Sequence, residues 1–141
     1  KHQVYVFGNS WKRKNNNPNI IKHNEIDQIE YVKIINSSLI NLNFLTDENR
    51  DTSNLRFFEV SACKGLLLNE YSDRFSNILL PEIDTFYFNN INEIIDVVDR
   101  IINLKDIQRE QILDNAYNKI KDYSFENACE KINVELLNKI I

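Results

Sequence analysis

Two glycines, two prolines, two cysteines and no methionine stand among the 141 residues. Each scarcity removes a class of protein. Gly8 and Gly65 cannot supply a G-x-G-x-x-G fingerprint or a P-loop, so a dinucleotide-binding dehydrogenase is disfavoured. Cys63 and Cys129 make no disulfide framework, and neither has a His or Cys at metal-ligand spacing, so reduced, buried thiols and a cytoplasmic protein are expected, without zinc. No apolar run reaches the roughly 18–20 residues that cross a bilayer, and no signal-peptide pattern is read. An excess of one charge is lacking too: 17 basic and 21 acidic residues are interspersed and sum to −4, so no general attraction to nucleic acid or anionic lipid is expected. The absence of methionine sets the expectation of a piece cut from a longer chain, and the length that of one domain over residues 1–141.

What is present alternates strands with helices. Gln3 to Phe7 is β-branched and aromatic and ends at Gly8, the pattern of a buried strand entering a turn. A polar stretch with Trp11, the cations Lys12, Arg13 and Lys14, and an Asn cluster before Pro18 follows as loop. Ile20-Ile21 adds a short strand, and Ile26, Ile29, Tyr31, Val32 and Ile35 recur at helical intervals over residues 24–36. Ile40, Leu42 and Phe44 alternate with polar residues in a strand over 38–44. A helix over 54–64 is expected to end with Gly65 at C′, followed by a buried strand at Leu66-Leu67-Leu68. A helix over 72–80 stopped by Pro81, an aromatic strand over 85–88 and a wholly helical remainder complete the pattern. Strands separated by helices predict right-handed crossovers and a mainly parallel sheet with helices on both faces and a helical C-terminal tail.

In open parallel sheets of this kind ligands bind at the carboxyl ends of the strands, which directs attention to the loops after Phe7, Phe44 and Leu68. The first offers Asn9, Ser10, Lys12 and Arg13. The second carries Asp51 and leads into a helix whose free N–H groups and about half a positive charge suit a phosphate. Arg56 lies in that helix's first turn, where its guanidinium could add a bidentate contact. Seven residues separate Asp51 from Glu59, which sits on the same helix, and Phe57, Phe58, Ala62 and Cys63 are expected to supply that helix's apolar face. A carboxylate so placed can accept two hydrogen bonds from a vicinal diol such as a ribose. His2 and His23 have no Ser, Cys or Asp at a catalytic spacing, so both are read as surface residues.

The run Asn54-Leu55-Arg56-Phe57-Phe58-Glu59-Val60-Ser61-Ala62-Cys63-Lys64-Gly65-Leu66-Leu67-Leu68 resembles the C-terminal domain of GT-B glycosyltransferases of group 1, above all the CgeB-like, spore-maturation-protein-like group, with its N-x-R-x-F-E-x-x-A-C-x-G-x-x-L pattern. The resemblance extends through Glu70-Tyr71, the 85–88 strand and Tyr123-Ser124-Phe125, and so covers Ser38 to the end. It implies a Rossmann-like half of a GT-B fold that binds a nucleotide-sugar donor without a metal, with the acceptor and any general base on an N-terminal domain. Through the related E-x7-E enzymes it gives Glu59 the ribose hydroxyls and Asp51 a place near the donor sugar. Arg56, Lys12 and Arg13 become candidates for the diphosphate, with Asn9, Ser10 and Asn54 as further contacts. Asp51 stands where that pattern has Glu, and Lys64 where a first Gly is common.

Each assignment has a plainer counterpart. Glu59 could be a solvated helix residue, Arg56 could form a local ion pair with Asp51 or Glu59, and Lys12 to Lys14 could be a solvated loop. Trp11 could cover a core edge rather than stack on a base, Tyr71 reads as packing, and Cys63 reads as structural. The alternative to a donor-binding half is a non-catalytic glycosyltransferase-like interaction module. A flavodoxin-like receiver needs clustered acids after the first strand, where this chain has Gly8-Asn9-Ser10.

Overall fold

The three leucines at 66–68 leave room for only one kind of strand, one buried on both sides. In a computed structural model, which describes residues 2–9, 17–47 and 54–140 and the side chains through 134, this strand is the middle of a sheet. The chain divides into two compact units, Lys1–Ile34 and Ile35–Ile141.

In the first unit, strands β1 (Val4–Phe7) and β2 (Ile20–His23) pair in parallel, with Val4 opposite Ile20 and Phe7 opposite His23. Gly8 follows at φ 118°, a conformation that glycine alone adopts without strain, and its N–H donates to the His23 carbonyl at 3.1 Å. The expectation of a buried first strand is corrected: Val4 and Tyr5 are about half exposed, at 49% and 52%, because a two-stranded ribbon has few neighbours to cover it. Both histidines are exposed, as expected, and the His23 ring stacks on Phe7 at 5.0 Å. Helix α1 (Gln28–Ser37) follows, four residues later at its start than the periodicity suggested; the Asp27 carboxylate accepts the Glu30 amide at 2.8 Å and so marks the helix entry.

In the second unit, β3 (Asn41–Asn43), β4 (Leu67–Glu70) and β5 (Phe86–Phe88) form a parallel sheet in that order. Asn41 lies opposite Leu67, and Leu68 opposite Phe86. Around the sheet stand α2 (Leu55–Ala62), α3 (Asp73–Ser76), α4 (Ile94–Ile102), α5 (Asp106–Ile120) and α6 (Phe125–Ile140). Leu66, Leu68, Phe86 and Phe88 point to one face and pack on Val97 and Ile101 of α4 and Ile112 of α5. Strand alternation sends Leu67 and Asn69 to the other face, where both are buried. There Val60 of α2 and Ile35 close around Gly65 and Asn41. The architecture is α/β, with parallel sheets flanked by helices and a helical C-terminal stretch, consistent with a Rossmann-like half of a GT-B fold.

Three local expectations are corrected. The strand expected over 38–44 is only Asn41–Asn43, and its buried member is Asn43 at 8% while Leu42 and Phe44 stand near half exposed. As the last strand of its sheet, β3 has its apolar face only partly covered. The helix expected over 72–80 is a single turn, because the Asp84 carboxylate draws the Leu80 amide at 2.7 Å into a turn instead. The apolar face of α2 is Phe57, Val60 and Ser61 rather than Phe57, Phe58, Ala62 and Cys63. Ser61 can be buried because its hydroxyl donates to the Phe57 carbonyl at 3.0 Å.

The end of α2 holds the largest surprise. Lys64, not Gly65, is the C′ residue, at φ 56°. The N–H of Gly65 donates to the Val60 carbonyl at 2.9 Å and that of Lys64 to Ser61 at 3.1 Å, the two bonds of a Schellman motif. Lys64 is tied down by Asp114 of α5 at 2.7 Å and lies over the Tyr117 ring at 5.1 Å. Glycine is needed at 65 for a different reason: a Cβ there would stand 2.3 Å from Ile35 Cγ2.

Candidate functional site

The carboxyl ends of β3 and β4 are tied together by polar side chains, in a part of the sheet where apolar packing would be the default. Asn43 Nδ2 donates to Asn69 Oδ1 at 2.6 Å, across the last rung that β3 and β4 share. Asn69, fully buried, donates in turn to the Glu70 carbonyl at 2.6 Å. The Glu70 carboxylate accepts the Leu45 amide at 3.0 Å. On the same rung, beyond Asn69, Tyr87 donates to the Leu79 carbonyl at 2.9 Å, and burial, then the nearby Asp84 carboxylate, raise its pKa well above the ordinary phenol value. Among the described residues no buried side-chain nitrogen or oxygen lacks a hydrogen-bond partner.

Helix α2 follows β3 in the chain, and its start is fixed by its own cap. Asn54, buried and extended at φ −108° and ψ 116°, accepts the Arg56 amide on its side-chain oxygen at 2.9 Å. Its apolar stripe, Phe57 and Val60, then anchors the helix against the sheet, and Phe57 packs on Phe75 with ring centres 4.4 Å apart. Arg56 and Glu59 are thereby left on the outer side. The guanidinium donates to Glu59 Oε2 at 3.1 Å, and the two side chains are 57% and 42% exposed. Helical side chains lean toward the N-terminus, so Glu59 leans toward the first turn of its own helix. Cys63, one turn on, is half-buried rather than buried; burial first and the Glu59 carboxylate second raise its pKa, which keeps the thiol protonated and unreactive. Cys129 is exposed, again contrary to the buried thiol expected.

Of the residues singled out in the sequence, Asn54, Arg56 and Glu59 are brought together on α2. Asn54 serves as the helix cap, and the local Arg56–Glu59 ion pair weighed from the sequence is present. Asn9 is exposed in the turn after β1, within the first unit. Ser10, Lys12, Arg13 and Asp51 lie outside the described residues. Sequence reasoning missed Asn43 and Asn69 and gave Glu70 no role. The available signal was amide residues at the carboxyl end of strands that are otherwise apolar, in Asn41-Leu42-Asn43 and Leu67-Leu68-Asn69. A buried strand keeps such residues only where their amides find partners.

Two surface grooves, of about 560 and 500 Å³, include neither Asn54, Arg56, Glu59 nor Glu70. One lies against Asp122, Glu130 and Lys131, the other against Ile83, Phe86 and Ile112. Among the described residues no group of three His, Cys, Asp or Glu side chains could hold a metal ion. Among the described residues no helix is long and apolar enough to cross a membrane.

Parallel strands flanked by helices, with a capped helix following β3, place the chain in the Rossmann-like class of α/β folds. Residues 1–133 match the glycosyl transferase-like family. The chain belongs to that family, which supports a role in glycosyl transfer. None of the curated proteins matches it.

Proposed function

We propose that the chain is the donor-binding half of a glycosyltransferase, moving a sugar from a nucleotide sugar to an acceptor held by another domain. One observation carries this reading: in a chain of the glycosyl transferase-like family, Arg56 and Glu59 project together from the first turns of the capped helix that follows β3. Glu59 accepts the two ribose hydroxyls of the nucleotide. Its ion pair with Arg56 is exposed, and such pairs contribute only about 0–1 kcal/mol, so a diol displaces it at little cost. The guanidinium meets the diphosphate together with the helix N–H groups. Asn54 acts through the helix it caps, and a place for Asp51 near the donor sugar rests on the sequence resemblance.

Glycosyl transfer expels a nucleoside diphosphate, and donors aimed at its growing negative charge are usually the largest catalytic contribution. Arg56 and the start of α2 supply such donors without a bound cation. Proximity to an acceptor needs the second domain, so transfer by these residues alone is not expected.

Calorimetric titration of UDP, GDP and CDP and their sugars tests the reading. One nucleoside diphosphate should bind, and Glu59→Ala should weaken it about tenfold or more, the loss expected for hydrogen bonds to a charged group. No binding of any of them refutes the donor reading. Equal binding by Glu59→Ala refutes the ribose assignment alone.

A further inference from the structure

We infer that Leu55 is a ligand-contact residue of the donor site, an apolar seat for the ribose ring of a nucleoside diphosphate; the inference rests on the donor-binding reading above. Within α2, Phe57, Val60 and Ser61 are buried, so Leu55, Arg56, Phe58, Glu59 and Ala62 make up its outer side. A solvated helix face is normally polar, yet only Arg56 and Glu59 among these are polar. One ion pair set among apolar side chains is the lining of a small-molecule site, in which a few polar groups orient a ligand and apolar ones cover it. Phe58 is taken up by Tyr123, whose ring centre is 5.4 Å away, and Ala62 offers a single methyl group. Leu55 is the large apolar side chain left open, at 63% exposure.

Its place relative to Glu59 gives Leu55 this task. Residues four apart on a helix stand one above the other on the same face, and Glu59 leans toward the helix start, over Leu55. On the donor reading Glu59 holds the ribose hydroxyls at C2′ and C3′, while C5′, at the opposite edge of the ring, leads to the diphosphate at Arg56 and the first turn. The ring between them runs along the helix, over a rise of about 6 Å at about 1.5 Å per residue. Leu55 lies on that line. A furanose has a face of C–H groups, and seating it on an isobutyl group removes apolar surface of both partners from water. Leu55 thus makes the ring itself, and not only its hydroxyls, part of what is recognised.

Calorimetry with UDP, GDP and CDP on the chain and on Leu55→Ala, Leu55→Met and Glu59→Ala, with urea unfolding of each in the absence of nucleotide, tests this. Leu55→Ala should weaken the nucleoside diphosphate bound by the unmodified chain about three- to tenfold, the scale of partly burying an aliphatic side chain. Its unfolding midpoint should stay unchanged, because the side chain is exposed. Leu55→Met, similar in volume and apolarity, should bind within about twofold of the unmodified chain. The seat is refuted by equal affinity in Leu55→Ala, by a loss in Leu55→Met that matches it, or by a lowered midpoint in Leu55→Ala, which marks a structural role. If Glu59→Ala weakens binding and Leu55→Ala does not, the seat falls and the donor reading stands. If the unmodified chain binds none of the three nucleotides, both fall.

Discussion

Adding one methyl group at Gly65 should be among the most damaging small changes this chain can suffer. An alanine Cβ would lie 2.3 Å from Ile35 Cγ2, 2.9 Å from Asn41 Nδ2 and 3.1 Å from Val60 Cγ1. Ile35 is buried at 2%, and its Cγ2 branches directly from Cβ, so the clash cannot be relieved by swinging a flexible tip. Asn41 could retreat only by giving up its contacts to the carbonyls of Ile35 and Leu66, at 3.3 and 3.4 Å. Overpacking of a close-packed core costs about 1–3 kcal/mol, and losing those hydrogen bonds adds about 1, so Gly65→Ala should destabilise by about 2–4 kcal/mol. With a urea slope of about 1–3 kcal/mol per M for a domain of this size, the unfolding midpoint should fall by roughly 1–2 M. Lys64→Gly is the paired control. There the backbone, at φ 56°, favours glycine, while the contacts to Asp114 and Tyr117 are lost, so gain and loss oppose each other. Its midpoint should move much less than that of Gly65→Ala. If Gly65→Ala leaves the midpoint unchanged, or Lys64→Gly is the worse of the two, the assignment of close contact to 65 and left-handed backbone to 64 is wrong.

Asn69→Leu should cost about 1–3 kcal/mol by orphaning the buried Asn43 amide, and adding Asn43→Leu should recover part of the loss, a coupling that a double-mutant denaturation cycle reads directly. Full additivity of the two would contradict the pairing. With a disulfide-exchange reagent near pH 8, Cys129 should react quickly and Cys63 slowly, and Glu59→Gln should speed Cys63; equal rates for the two thiols would remove the argument from burial and charge. Tyr87 has a folded pKa raised above the ordinary 10.0, so its stabilising contribution is complete below pH 10 and is lost as pH rises beyond it. Ultraviolet titration should show one tyrosine that ionises only as the chain unfolds in alkali, and Tyr87→Phe should flatten that alkaline loss of stability.

The sequence by itself determined the order of elements, because hydrophobic period is a local property. The apolar triplet at 66–68, the aromatic strand and the helical remainder were all legible, and so was the family pattern around Asn54 to Leu68. It also placed Arg56 and Glu59 one helical turn apart, since a spacing of three residues makes neighbours on any helix. Tertiary structure decided what each polar residue near the strand ends does. Asn43, Asn69 and Glu70 come from segments about 25 residues apart, and only the parallel register sets them within hydrogen-bond distance. The same holds for Gly65. One residue of difference between C′ and the position after it cannot be read from a glycine in a sequence, because backbone handedness and close packing both call for glycine. It took Ile35, Asn41 and Val60, gathered from three elements, to show that packing holds position 65 while Lys64, steadied by a neighbouring helix, takes the left-handed turn.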